Sequence, residues 1–71
     1  MWILDQTKYE VVNIKNYDSI LNLQGRIRAI RSNGNSFVNL GVYDPVRAAQ
    51  VFDELLTSLA KGDNLFRMPE K

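Results

Sequence analysis

The sequence predicts an α+β fold: an antiparallel β-meander of four to five strands with one C-terminal helix packed on one face. Three observations predict it. Residues 1–43 fall into short runs of β-branched and aromatic residues, separated by Asn, Asp and Gly. An Asn33-Gly34 pair sits between two of these runs, which is the strongest short-range hairpin signal. From Pro45 to Lys61 the apolar residues recur at helical spacing.

The elements follow in order. Trp2-Ile3-Leu4 is a short apolar run closed by the polar segment Asp5-Gln6-Thr7-Lys8. Tyr9 to Ile14 reads as a second strand. Asn16-Tyr17-Asp18 makes a turn or a short bridge. In "SILNLQG", residues 19–25, Leu21 and Leu23 alternate against Asn22 and Gln24. Gly25 is either a turn or a bulge that bends the chain into the next strand.

The stretch "RIRAIRSNGNSF", residues 26–37, sets the register of the next pair. Both central residues of a type I′ turn need positive φ, which suits Asn33-Gly34. A two-residue corner there places Arg31 opposite Ser36, Ile30 opposite Phe37, Ala29 opposite Val38, Arg28 opposite Asn39 and Ile27 opposite Leu40. Strict alternation then gives one face to Ile27, Ala29, Val38, Leu40 and Val42. The other face receives Arg26, Arg28, Ile30, Phe37, Asn39 and Tyr43. The first set is uniformly apolar and belongs to the core. Arg31 points away from Arg26 and Arg28, so the three arginines do not form one stripe. Gly41 inside a strand marks a bulge, or a place where a ring such as Phe37 or Tyr43 lies across the backbone. Close approach of a partner is the other reading.

Asp44 is a good N-cap, and Pro45 suits the first turn, where its missing N–H costs nothing. Ala48, Val51, Phe52, Leu55, Leu56 and Leu59 fall within one broad arc of the helix. Arg47, Gln50, Asp53, Glu54, Thr57, Ser58 and Lys61 fill most of the remainder, a solvated face. Lys61 favours the C-terminal end of the dipole, and Gly62 is placed for a left-handed stop. Residues 63–71 form a tail that folds back on the core or adds a short edge strand through Leu65, Phe66 and Met68. The alternative is an arm that pairs with a neighbouring chain. The whole chain, 1–71, is one domain.

Size and composition narrow the function. A chain of 71 residues buries only about 60% of the surface its unfolded form exposes. It needs a compact core, a partner subunit, or both. It has no cysteine, hence no disulfide and no thiolate metal site. It has no histidine, which removes the usual general base at neutral pH. Apolar residues make up 45% and charged residues 24%, a globular balance. The net charge is +1. Dedicated nucleic-acid domains usually have a pI above about 9, against 8.1 here. The start, "MWILDQTKYE", lacks the basic end and long apolar core of a signal peptide, and no run is long enough to span a membrane. A cytoplasmic protein is the expectation.

Chemistry has little to stand on. The Ser and Thr hydroxyls have no histidine to activate them. Asp53 and Glu54 are adjacent and point about 100° apart on a helix, so they share no site. Asp44 is accounted for by capping; Asp5, Asp18 and Asp63 lie in turns, where Asp serves the backbone. The glycines form no phosphate loop. No catalytic residue, cofactor or metal site is expected.

The outer sheet face is the serious candidate. Arg26, Arg28, Ile30, Phe37 and Tyr43 mix basic, apolar and aromatic groups there. That composition is typical of protein interfaces, so the leading expectation is a non-catalytic binding or assembly module that self-associates or meets a protein partner through this face. The alternative is weak binding of RNA or single-stranded DNA through Arg26, Arg28, Phe37 and Tyr43. A fully solvated face needs no partner at all.

Four short stretches carry a family resemblance: "MWIL" at the start, "LGVYD" at 40–44, "RAAQVFDELL" at 47–56 and "MPE" at 68–70. Together they resemble a group of small proteins of Gram-positive bacteria and their phages and prophages. In that pattern a Leu-Gly-x-Tyr strand precedes a helix with an alanine and a hydrophobic pair; Leu40, Gly41, Tyr43, Ala48, Val51 and Phe52 match. The pattern often has an acid just before the tyrosine, where this chain has Val42, and residues 16–30 match loosely. The resemblance implies a fold and a host range. It implies no reaction.

Overall fold

The computed structural model describes residues 1–32 and 36–71. It is an α+β structure with two three-stranded sheets and one helix. The strands are β1 (Trp2–Leu4), β2 (Val11–Asn13), β3 (Ser19–Leu23), β4 (Arg26–Arg31), β5 (Ser36–Val42) and β6 (Leu65–Arg67). The helix is α1 (Pro45–Lys61). One sheet has the order β3-β4-β5 and is an antiparallel meander. The other has the order β2-β1-β6, in which β1 and β6 run parallel.

A single meander was the expectation, and this second sheet corrects it. A 17-residue helix carries the chain back by about 25 Å at 1.5 Å per residue. The last strand therefore restarts where the first strand began and pairs beside it. Phe66 and Met68 reach the core by this route. The second predicted strand is also shorter than expected. Tyr9 is exposed, and Ile14–Asn16 is a turn of 3₁₀ helix capped by the Asn13 side chain.

The core joins both sheets to the helix. Ile3, Ile27, Leu40, Val51 and Leu55 are its largest fully buried side chains. The helix begins and ends as its caps dictate. Asp44 accepts a hydrogen bond from the Arg47 N–H (3.1 Å), and Gly62 closes the helix at φ 78°. Leu56, placed in the apolar arc by the sequence, is instead half-exposed at the rim of a cleft with Ile14, Tyr17, Ile20 and Leu59. Ser58, expected on the solvated side, is buried and donates to Asp63 (2.6 Å).

Gly25 is a turn. Leu23 pairs with Arg26, and Gln24 and Gly25 both have positive φ, 53° and 91°. This is the signature of a type I′ corner. Gly25 also lies against Tyr43, whose N–H donates to the Gly25 carbonyl (2.9 Å). The Asn33-Gly34 corner lies outside the described residues.

Candidate interaction face of the meander

The β4–β5 register is the one a two-residue corner at 33–34 requires. Arg31 pairs with Ser36, Ile30 with Phe37, Ala29 with Val38 and Arg28 with Asn39. Then it breaks. Ile27 pairs with Gly41 and Arg26 with Val42, which leaves Leu40 as an extra residue in β5. One extra residue is a β-bulge, and it inverts the alternation for everything that follows.

Two placements change as a result. Val42, expected in the core, is 57% exposed and lies across from Arg26. Tyr43, expected on the outer face among the partner-binding residues, is 8% exposed and belongs to the core. Its ring lies against Gly41, and its hydroxyl donates to the Pro69 carbonyl (2.5 Å). Burial pushes the Tyr43 phenol up to about 12. At Gly41 the bulge and the covering ring are both present.

The other four candidate residues do share a face. Arg26, Arg28, Ile30 and Phe37 follow one side of the pleat, joined by Leu21, Leu23 and Val42 through the observed pairings Leu21–Arg28, Leu23–Arg26 and Val42–Arg26. Phe37 and Leu23 are half-exposed. The Arg28 guanidinium lies 4.4 Å from the centre of the Phe37 ring, and its Nε donates to Asn39 Oδ1 (3.0 Å). Stacking and hydrogen bonding together hold this arginine flat on the sheet. Among the described residues the register puts no carboxylate on this face.

Leu21, Leu23 and Val42 were not among the expected partner residues. Leu21 and Leu23 become assignable once Gly25 is known to be a turn, because a two-residue corner fixes β3 against β4. Val42 becomes assignable only through the bulge.

Arg31 is held elsewhere. It stacks on Tyr17 (5.0 Å) and donates to the Asn16 carbonyl (3.1 Å). Next to it, Asp18 accepts from the Ser32 N–H (2.8 Å) and the Ser32 hydroxyl. Those two hydrogen bonds hold the Asp18 carboxyl below its ordinary range, the hydroxyl first and the N–H second. These contacts fasten the ends of β3 and β4 together; they do not add to the outer face.

The far edge of β5 is closed near the bulge. Gln6 donates its N–H to Leu40 (2.8 Å), accepts from the Val42 N–H (2.8 Å) and donates its amide to the Val42 carbonyl (3.1 Å). The same amide reaches the Glu70 carbonyl (2.8 Å), so one glutamine ties the start of the chain to β5 and to the tail.

No helix among the described residues is long and apolar enough to cross a membrane. No protein-family model, curated protein or solved structure matches the chain.

Proposed function

We propose that this protein is a non-catalytic binding and assembly module that self-associates through the outer face of β3-β4-β5. The observation that carries the reading is the composition of that face. Leu21, Leu23, Ile30, Phe37 and Val42 form one apolar surface, with Arg28 pinned flat across Phe37. Aromatic groups and arginine are enriched at protein interfaces, and a stacked guanidinium gives up little freedom on contact. The helix and the core cover only the inner face of the meander. The family resemblance, which implies a fold and a host range, fits a prophage setting for such a module.

Size sets the strength. Three strands at about 4.8 Å spacing and five residues at about 3.4 Å give a footprint of roughly 15 × 17 Å. That is well under the ~800 Å² per partner of a standard interface. The contact is therefore weak and forms at high protein concentration.

Weak nucleic-acid binding is the second reading. It rests on Arg26 and Arg28 lying beside Phe37 with no carboxylate on the face. It is weaker than the sequence suggested, because buried Tyr43 offers no stacking surface. Salt separates the two readings by sign. Two copies face to face bring arginines toward arginines, so added salt screens their repulsion and strengthens the dimer. Phosphate contacts weaken steeply with salt. Solution mass and oligonucleotide binding, each measured over a salt series, test the proposal. Association that rises with salt supports it. Arg28→Glu abolishes oligonucleotide binding under the second reading.

A further inference from the structure

The chain leaves the sheet after Met68. That residue is buried, and its N–H donates to the Leu4 carbonyl (2.9 Å). The next three carbonyls are each held by a side chain from a different part of the fold. The Tyr43 hydroxyl donates to Pro69 (2.5 Å), the Gln6 amide to Glu70 (2.8 Å) and Arg47 Nε to Lys71 (3.0 Å). Lys8 adds an ion pair with the Glu70 carboxylate. Glu70 and Lys71 are exposed, and exposed side-chain bonds and surface ion pairs open at low cost. Residues 69–71 are thus a strap rooted at Met68.

Gln6 connects the strap to the outer face. Its backbone N–H donates to the carbonyl of Leu40, the bulge residue (2.8 Å). Its Oε1 accepts the Val42 N–H (2.8 Å), and its Nε2 donates to the Val42 carbonyl (3.1 Å). A residue of a neighbouring strand would exchange the same two bonds with Val42. The second Nε2 hydrogen serves the Glu70 carbonyl, so both are used. Turning the amide over would set its NH₂ against the Val42 N–H and its oxygen against two carbonyls. The Glu70 carbonyl therefore favours the one orientation that clamps Val42. Val42 is exposed and lies across from Arg26, at the edge of the outer face.

We propose that the strap regulates the outer face. Docked, it holds Val42 in the contact surface through Gln6. Released, it frees Val42 and weakens the contact between copies. The second half of this inference rests on the self-association proposed above; the first half is a property of the single chain.

Charge reversal at the strap tests it. Neither Lys8 nor Glu70 belongs to β3, β4 or β5. Lys8→Glu and Glu70→Lys each replace the ion pair by a repulsion, and the double reversal restores an attraction at unchanged net charge. Hydrogen exchange is measured in dilute protein, where the chain is monomeric. The Val42 amide is expected to exchange about two- to fivefold faster in either single variant and at the wild-type rate in the double one. The amide of Leu55, fully buried in α1, should stay constant and report an intact fold. Solution mass at millimolar protein is the second readout. Both single variants should associate less than the wild type, although they move the net charge in opposite directions, and the double variant should recover. A Val42 amide that ignores the single reversals, or that the double reversal does not restore, overturns the strap. So does a released Val42 with self-association unchanged. A wild type that never rises above monomer is a failure of the outer-face reading alone, and the Val42 amide then still decides whether the strap holds that residue.

Discussion

The ring of Tyr43 lies so close to Gly41 that a Cβ on the glycine would sit 2.7 Å from Tyr43 Cε2. The ring is not free to withdraw. It is buried, and its hydroxyl is held by the Pro69 carbonyl. Gly41→Ala is therefore expected to destabilise the fold by about 1–3 kcal/mol, the usual cost of overpacking. Urea denaturation checks this through a lower midpoint at unchanged slope.

Tyr43→Phe keeps the ring and removes the tether. The Pro69 carbonyl loses its donor, and the expected cost is about 1–2 kcal/mol. The phenol also predicts a response to alkali. Its folded value is raised from 10.0 to about 12. Between those values the unfolded chain has lost the proton and the folded chain retains it, so stability falls as pH rises. The slope is at most about 1.4 kcal/mol per pH unit. Denaturation midpoints measured from pH 9 to 11 in the wild type and in Tyr43→Phe check the assignment. The wild type should lose more stability than the variant over that range.

The β3–β4 corner gives a stabilising prediction. Gln24 holds φ 53°, a conformation that favours Gly, Asn and Asp. Gln24→Asn is expected to raise stability by about 0.5–1 kcal/mol, since asparagine tolerates the left-handed region better. Gly25→Ala acts in the opposite direction. It combines φ 91° with a Cβ only 2.3 Å from the Tyr43 carbonyl oxygen, where the obstacle is backbone. A loss of about 2–4 kcal/mol is expected. Thermal melts of the two variants measure both signs.

Local signals in the chain were legible wherever one residue type has one physical job. Asp44, Pro45 and Gly62 bounded the helix because a cap, a missing N–H and a left-handed stop each favour those residues. The β4–β5 pairing from Arg31–Ser36 to Arg28–Asn39 followed from corner length alone. What failed was propagation past Asn39, where the expected Ile27–Leu40 pair gives way to Ile27–Gly41. A glycine in a strand signals a bulge but does not say which neighbour is extra, and that decides the face of every later residue. Val42 and Tyr43 exchanged sides for this reason. The β1–β6 pairing was illegible for another reason. Two three-residue strands far apart in sequence carry no register of their own, and tertiary packing brings them together.

The outer-face account rests on one contact surface, and Phe37→Lys at constant salt tests it most directly. Phe37 is 52% exposed, so the change leaves the core intact. Light scattering over a concentration series into the millimolar range is the measurement. The account predicts wild-type mass that rises above monomer with concentration, and a lower mass at every concentration for Phe37→Lys. Identical curves for the two proteins, or a wild type that stays monomeric throughout, would contradict it.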